Sequence, residues 1–278
     1  TYERENITIA TGGKQVLFNA LMATVNAGDE VIIPAPYWVS YPEIVRLAQG
    51  VPVILSCAED DNFKLTPDVL AAAITPQSKW LILNSPSNPT GAAYSKDELI
   101  ALADIVRAHP HLHVLCDDIY EYLIYDGAVF ATMAEIAPDL IPRILTLNGV
   151  SKSYSMTGWR IGYAGGPASL IATMKIIQSQ STSGPCSISQ KAAVAALDSD
   201  QSIVTTMVKA FHERHDYVFK RLSALPEIQV TPADGTFYLF PNVQVSIDRL
   251  GLADDVTFAE ALLDKTGLAL VPGTAFGT

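Results

Sequence analysis

Lys152 and Arg160 stand eight residues apart in the run Asn148-Gly-Val-Ser-Lys-Ser-Tyr-Ser-Met-Thr-Gly-Trp-Arg-Ile-Gly-Tyr-Ala-Gly-Gly166, bracketed by the apolar segments Ile144 to Leu147 and Ile161 to Ala164. A lysine among serines and small residues, just beyond a buried strand, is placed to present an amine inside a cleft. Burial disfavours the ammonium form, and a nearby cation disfavours it further. The amine that results is a usable nucleophile toward a carbonyl. Arg160 is such a cation, and its planar fork also suits a phosphate. Read alone, the pair fits an ordinary loop lysine and a structural arginine better than a site.

Further polar clusters follow other apolar segments. Thr11-Gly-Gly-Lys-Gln15 opens a helical pattern after the strand-like Asn6 to Ala10. It lacks the spacing of a nucleotide-binding P-loop, but a glycine pair at a helix start offers backbone N–H groups to one phosphate. Trp38 follows the strand Glu30 to Ile33, Asn84 to Gly91 follows Trp80 to Asn84, and Asp117 to Tyr120 follows His113 to Cys116. Each has a plainer reading: a tight turn at Gly12-Gly13, a proline turn at Asn88-Pro89, a solvated acid at Asp117, core aromatics at Trp38 and Tyr120.

The elements that must position these groups alternate. Val16, Leu17, Ala20, Leu21 and Val25 recur at helical spacing, with Gly28 expected to close that helix. Thr66-Pro67 supplies a cap and a first-turn proline, and Ser95 with Glu98 forms a capping box for a helix to His109. Strands alternating with helices indicate βαβ units and a mainly parallel sheet, whose binding groups collect at the carboxyl ends of the strands. All five clusters fall on that rim. The second half is more helical: 168–179, 187–197 and 202–225, then expected strands at 237–240 and 268–271 around a helix at 255–265. The expected fold is α/β, with a large domain over 1–200, a linking helix over 201–225 and part of a small α+β domain over 226–278.

With 278 residues and 49% hydrophobic content, the chain can bury a large core. Its net charge of −11 with no basic block speaks against a nucleic-acid partner. No apolar run reaches membrane-spanning length. Cys57, Cys116 and Cys186 have neither disulfide nor zinc spacing, so no metal is expected and a reducing cytoplasm fits. The opening without Met and the turn-rich end at Val271 to Thr278 suggest a chain truncated at both ends.

Taken together the clusters resemble the class I, fold-type I, pyridoxal-phosphate-dependent aminotransferases, in particular the bacterial aspartate aminotransferase branch. The resemblance runs over essentially the whole chain: Gly12-Gly-Lys-Gln15, Pro36-Tyr-Trp-Val-Ser-Tyr-Pro42, Asn84-Ser-Pro-Ser-Asn-Pro-Thr-Gly91, Asp117-Asp-Ile-Tyr120, Ser151-Lys152 through Gly158-Trp-Arg-Ile-Gly-Tyr163, Gly235-Thr-Phe-Tyr238 and Val271-Pro-Gly273. It implies a three-layer fold with pyridoxal 5′-phosphate held by Lys152 as a Schiff base, Lys152 then acting as general base and acid. Asp117 would pair with the pyridine nitrogen, Asn88 and Tyr120 would bond the phenolic oxygen, and Trp38 would stack on the ring. Gly12, Gly13 and Lys14 through their amides, Ser151, and Arg160 through its side chain would hold the phosphate. Trp38 and Asn88 would also meet substrate. The implied assembly is a homodimer with shared active sites, to which Gln178 to Gly184 would contribute across the interface.

Two departures from the family pattern stand out. Gly149 occupies a position, three before the lysine, where many relatives carry a hydroxyl, and the family's arginine for the substrate α-carboxylate lies beyond a segment like Val271 to Gly273. The expected reaction is transamination of L-aspartate with 2-oxoglutarate, with prephenate and aromatic transaminases in the same branch. Alternatives on the same scaffold are a β-lyase, a decarboxylase or a cyclopropane-forming synthase, and, from another class, a non-catalytic sensor domain.

Overall fold

The computed structural model describes residues 2–125 and 127–277. Seven strands form one sheet: β1 (Ile7–Ala10), β2 (Glu30–Ala35), β3 (Val51–Ser56), β4 (Ser78–Asn84), β5 (His113–Asp117), β6 (Ile144–Gly149) and β7 (Gly162–Gly165). Their order is β1-β7-β6-β5-β4-β2-β3. The pairs among β2 to β6 are parallel, and β7 runs antiparallel to both β6 and β1.

Side-chain alternation along the strands splits the core into two layers. Val31, Ile33, Trp80, Ile82, Leu115 and Leu147 face a cluster closed by α1 (Gly13–Thr24), α2 (Ser40–Leu47) and Ile171 and Met174 of a later helix, residues 168–179. Ile32, Leu81, Leu83, Val114 and Cys116 face the other cluster, under α3 (Pro67–Ala73), α4 (Lys96–Ala108) and α5 (Met133–Ile136). Both faces of β4 are therefore covered, and Trp80 to Leu83 form the unbroken apolar run typical of buried parallel strands. Cutting a fully buried side chain such as Leu102 of α4 back to Ala would cost about 2–5 kcal/mol. Thr66 accepts from the Val69 N–H at the start of α3, and Ser95 and Glu98 form the capping box of α4.

Register places the site. Asn84 lies beside Asp117, and Asp117 beside Leu147, across β4, β5 and β6. Gly149 lies beside Gly162, and Gly162 beside Ala10, across β6, β7 and β1. The carboxyl ends of four strands thus share one rim. From β6 the chain enters α6 (Val150–Ser153), and beyond β7 it continues through α7 (Ala168–Ser179), α8 (Ser187–Asp198), α9 (Ser202–Ser223), α10 (Gln244–Leu250) and α11 (Asp255–Thr266).

Three local expectations change. Helix α1 stops at Thr24, before Gly28; the Asp29 N–H bonds Asn26 O, and Gly28, at φ +90°, belongs to that turn instead. The apolar runs 237–240 and 268–271 form no strands, because neither finds a partner edge. Only the isolated bridges Ile124 to Gly235 and Gln229 to Asn242 form near the first of them. Among the described residues no helix is long and apolar enough to cross a membrane.

Candidate active site

Lys152 sits in the single turn of α6, half-buried at the mouth of a cleft of about 350 Å³. Gly13, Lys14, Trp38, Asn88, Asp117, Tyr120, Ser151 and Arg160 line the same cleft. Of the residues singled out in the sequence, Gly12 alone lies behind this wall, against Arg160.

At one end the cleft presents a cradle for an anion. Gly12 has φ +86°, and a Cβ built there would fall 2.2 Å from Arg160 Nη2. Glycine is therefore required both by the backbone, which is left-handed, and by the guanidinium lying against its Cα. Arg160 is itself left-handed at φ +54°, and its Nη1 donates to Thr157 O at 2.9 Å. The first turn of α1 starts at Gly13, where the Gly13 and Lys14 amides have no acceptors within the helix. One expectation changes here: the Gly12 N–H donates to Ala10 O at 2.8 Å. Its contribution is the space it leaves for Arg160. Gly162 completes the floor, since a Cβ there would meet Gly13 N at 2.3 Å and the Gly12 carbonyl carbon at 2.4 Å. Two strands of backbone are in direct contact at that point.

The departure at Gly149 has a similar cause. A Cβ at this position would lie 2.8 Å from Ile161 O and 3.2 Å from Gly162 Cα. No hydroxyl-bearing residue fits there, and Ser151, buried and adjacent to Lys152, lines the cleft instead.

At the other end lies Asp117, buried, with Oδ2 accepting from the Tyr41 hydroxyl at 2.7 Å and Oδ1 from the Ile119 N–H at 3.3 Å. Burial pushes its carboxyl up to about 6, against the pull of Tyr41, the Ile119 amide and the Lys152 charge. Asp118 is also buried, and burial lifts it well above the carboxylate range, but it does not line the cleft. Lys152 shifts the other way: burial lowers its pKa, the Arg160 charge lowers it further, and Asp117 opposes both. Its Nζ lies 5.2 Å from the Phe237 ring centre and 5.8 Å from that of Tyr120.

The side walls are aromatic. Tyr120 and Tyr238 share a hydrogen bond between hydroxyls at 2.9 Å, and burial followed by Tyr238 raises the Tyr120 pKa while Asn88 pulls it down. Trp38 meets Tyr41 edge to face, and Lys14 Nζ stands 4.8 Å from the Trp38 ring centre. Lys14 thus offers its ammonium to the cleft as well as its amide. Asn84 braces the rim, giving Nδ2 to Asp117 O and accepting the Asn88 N–H, both at 2.8 Å.

Tyr41, Asn84, Thr157 and Tyr238 were not among the expected site residues. Tyr41 and Tyr238 lie within motifs that carried the family resemblance, and that was the signal available. Gln178, expected to reach a partner, instead turns inward: it accepts from Asn19 Nδ2 and donates to Ile9 O. Beyond it, Thr182 accepts from Gln15 Nε2 at 2.8 Å.

The donor set fits pyridoxal phosphate. A cationic, glycine-floored cradle suits its phosphate, a buried carboxylate suits a protonated pyridine nitrogen, and an amine of lowered pKa suits its aldehyde. The comparisons agree. The family model for aminotransferase class I and II matches residues 1–278. An aspartate/prephenate aminotransferase of Cereibacter sphaeroides is 51% identical, over 99% of this chain and 72% of that protein. The crystal structure of the aspartate aminotransferase from Rhizobium meliloti superposes with a TM-score of 0.96 at 46% identity, over 100% of this chain and 71% of that one. The aspartate aminotransferase from Thermus thermophilus with maleate does so at 0.89 and 41%, over 98% and 69%. This chain belongs to the class I and II aminotransferases, as a fold-type I, pyridoxal-phosphate-dependent enzyme of the aspartate aminotransferase branch.

Proposed function

We propose that the chain transfers the amino group of L-aspartate to 2-oxoglutarate in two half-reactions, with Lys152 as the residue that carries pyridoxal phosphate. The observation that carries this reading is the opposed pair in one cleft: a lysine whose pKa is lowered and a buried carboxylate whose pKa is raised, with the Arg160 cradle beside them. When bound, pyridoxal phosphate supplies an electron-accepting ring and an aldehyde carbon that parks the amino group between half-reactions.

The chain's own residues do the rest. Arg160 and the Gly13 and Lys14 amides hold the phosphate, and Ser151 faces it. Asp117, kept in place by Tyr41, holds a proton on the pyridine nitrogen. Asn88 and Tyr120 bond the phenolic oxygen, and Trp38 covers a ring face and, with Asn88, meets substrate. Lys152 Nζ would act as general base and acid, taking the proton from the substrate Cα and delivering it to the aldehyde-derived carbon of the cofactor. Burial and the Arg160 charge lower the Lys152 pKa, which favours the neutral amine that this role needs. Arg160 and Lys152 being engaged, Lys14 is, among the described residues, the remaining cation of the cleft wall for a second carboxylate. The maleate in the Thermus structure, itself a dicarboxylate, supports that preference.

A second substrate, prephenate, is favoured by one feature. An apolar cavity of about 460 Å³, walled by Phe240, Ile247, Phe258 and Phe276, shares Asn88 and Tyr238 with the cleft and has room for a ring. The exposed apolar side chains Ile176, Ile188, Val194 and Ile203 on α7 to α9 support a homodimer. The three unpaired thiols support a cytoplasmic location. The division at 1–200, 201–225 and 226–278 belongs to the same reading.

The test is an assay with L-aspartate and 2-oxoglutarate, joined to borohydride reduction and peptide mapping. Stoichiometric oxaloacetate and glutamate, with the pyridoxyl group on Lys152, are expected. Release of ammonia, pyruvate or carbon dioxide, or label on another lysine, overturns the reading.

A further inference from the structure

Tyr238 reaches the cleft from a turn that has no sheet to hold it. Residues 233–236 are instead pinned by isolated bonds. The Asp234 and Gly235 amides donate to Gly91 O, Asp234 Oδ2 accepts the Ala93 N–H, and Asp234 O accepts the Tyr125 N–H. Thr236, wholly buried and left-handed at φ +69°, donates its amide to Leu123 O, and its carbonyl accepts the Tyr125 hydroxyl. The outermost pin is different in kind. The buried Ala233 N–H donates to His215 Nε2 of α9 at 3.0 Å. It is a backbone donor held by a titratable acceptor.

That bond fixes the ring's protonation. Nε2 must carry a lone pair, so the proton of the neutral ring lies on Nδ1, 3.0 Å from Asp216 Oδ1. Both nitrogens are thereby engaged, so the neighbouring His212, His215 and Asp216 do not present an open metal site, although their ligand atoms cluster within 4.8 Å. Among the described residues, the titratable groups facing this ring are Asp216 and His212 on α9, the latter 6.2 Å away between ring centres, and Tyr125 at 5.1 Å. Asp234, on the turn itself, is turned toward Ala93. Phe219 stacks on the ring at 5.8 Å and shields it. Tyr125 is therefore clasped between the histidine pair and the Thr236 carbonyl.

We propose that His215 is a positioning residue for the Ala233–Tyr238 turn, holding it through a neutral Nε2 acceptor, so that protonation of the ring releases the Tyr238 wall of the cleft. A proton on Nε2 points a second donor at the Ala233 N–H. Two buried donors cannot face each other, and one must move. Histidine is the side chain whose unperturbed charge change falls between about pH 5 and 8, which sets the pH range of the test. It acts through Tyr238, whose hydroxyl bonds Tyr120, and through Gly91, which ends the turn carrying Asn88.

The test uses the cofactor-free full chain and its His215→Gln variant, in which the amide oxygen accepts at any pH. Hydrogen exchange of the Ala233 amide, corrected for its intrinsic pH dependence, is expected to lose at least tenfold protection in the wild type between pH 7.5 and 5.5. In His215→Gln it is expected to change less than twofold, and the acid limb of the kcat profile of the loaded enzyme is expected to flatten. Equal loss of protection in both proteins overturns the proposal. Should the variant not fold, nitrogen NMR of the wild-type imidazole decides: an unprotonated Nε2 at pH 7.5 supports it, and a protonated one overturns it.

Discussion

The Tyr41 hydroxyl donates to Asp117 Oδ2 at 2.7 Å across 76 positions of sequence. Both groups are buried, and burial with the nearby carboxylate raises the Tyr41 pKa well above that of a free phenol. The phenol is therefore a permanent donor, and it favours the ionised form of Asp117 against a surround that does not. Hydrogen bonds to charged groups contribute about 1.5–3 kcal/mol.

Tyr41→Phe is accordingly expected to weaken pyridoxal phosphate binding by roughly ten- to a hundredfold, with kcat falling as well. A spectrophotometric cofactor titration measures the first effect. Unchanged affinity would mean that Tyr41 only packs.

Stability of the cofactor-free chain should depend on Asp117 in a defined direction. Its pKa is about 6 in the folded chain against an ordinary value of 3.8. Below about pH 4 the carboxyl is protonated folded and unfolded, and it costs nothing. Between about 4 and 6 the unfolded chain loses that proton while the folded chain keeps it, so stability falls as pH rises, levelling off above about 6. The loss is about 3 kcal/mol. Urea denaturation of wild type and Asp117→Asn at pH 4 and 7 should show the difference between the two proteins moving by this amount.

Two buried neighbours should behave oppositely. Asp117 lines the cleft, whereas Asp118 does not, and burial raises the pKa of the Asp118 carboxyl. Asp117→Ala is expected to lower kcat by about a thousandfold, the scale for removing a charge aimed at a reacting group. Asp118→Asn, a change of similar shape outside the cleft lining, is expected to stay within about threefold. Steady-state kinetics on both variants would reverse the assignment if the losses were equal.

Gly12→Ala should displace Arg160 from its seat, because the added methyl lies 2.2 Å from Nη2 in a left-handed backbone. Cofactor affinity is expected to drop at least about tenfold, the scale of one charge-assisted contact. Gly158→Ala, on the segment that carries Arg160, meets nothing within 4 Å and serves as the comparison. Matching losses in the two would point to general loop damage.

Much of this arrangement was legible in the chain because it is local or periodic. The caps at Thr66 and Ser95, the strand runs and the rim of strand ends all follow from spacing, and Lys152, Asp117 and Arg160 lie where those rules put them. Tyr41 and Tyr238 were not legible in the same way. Their partners are 76 and 118 positions away, and no spacing rule couples a helix phenol to a strand-end carboxylate. The run 237–240 misled for a related reason. Its apolar content looks like a strand, yet Tyr238 lines the cleft and Phe237 packs near Lys152 rather than in a ladder. The Gly12 amide was assigned to phosphate by its motif, and only the turn geometry shows it spent on Ala10.

The glycine floor under the cradle bears on how such an enzyme diversifies. Gly162 touches Gly12 and Gly13 backbone to backbone, with no side chain between them. Mutation therefore has no graded adjustment to offer there: any substitution at Gly162 collides, and none merely nudges. The seat is therefore a fixed reference point, while a residue such as Tyr238, which reaches the cleft as a side chain from another part of the fold, can be exchanged without touching that floor. Changes of preference would then fall on such side chains and leave the anion seat as it stands.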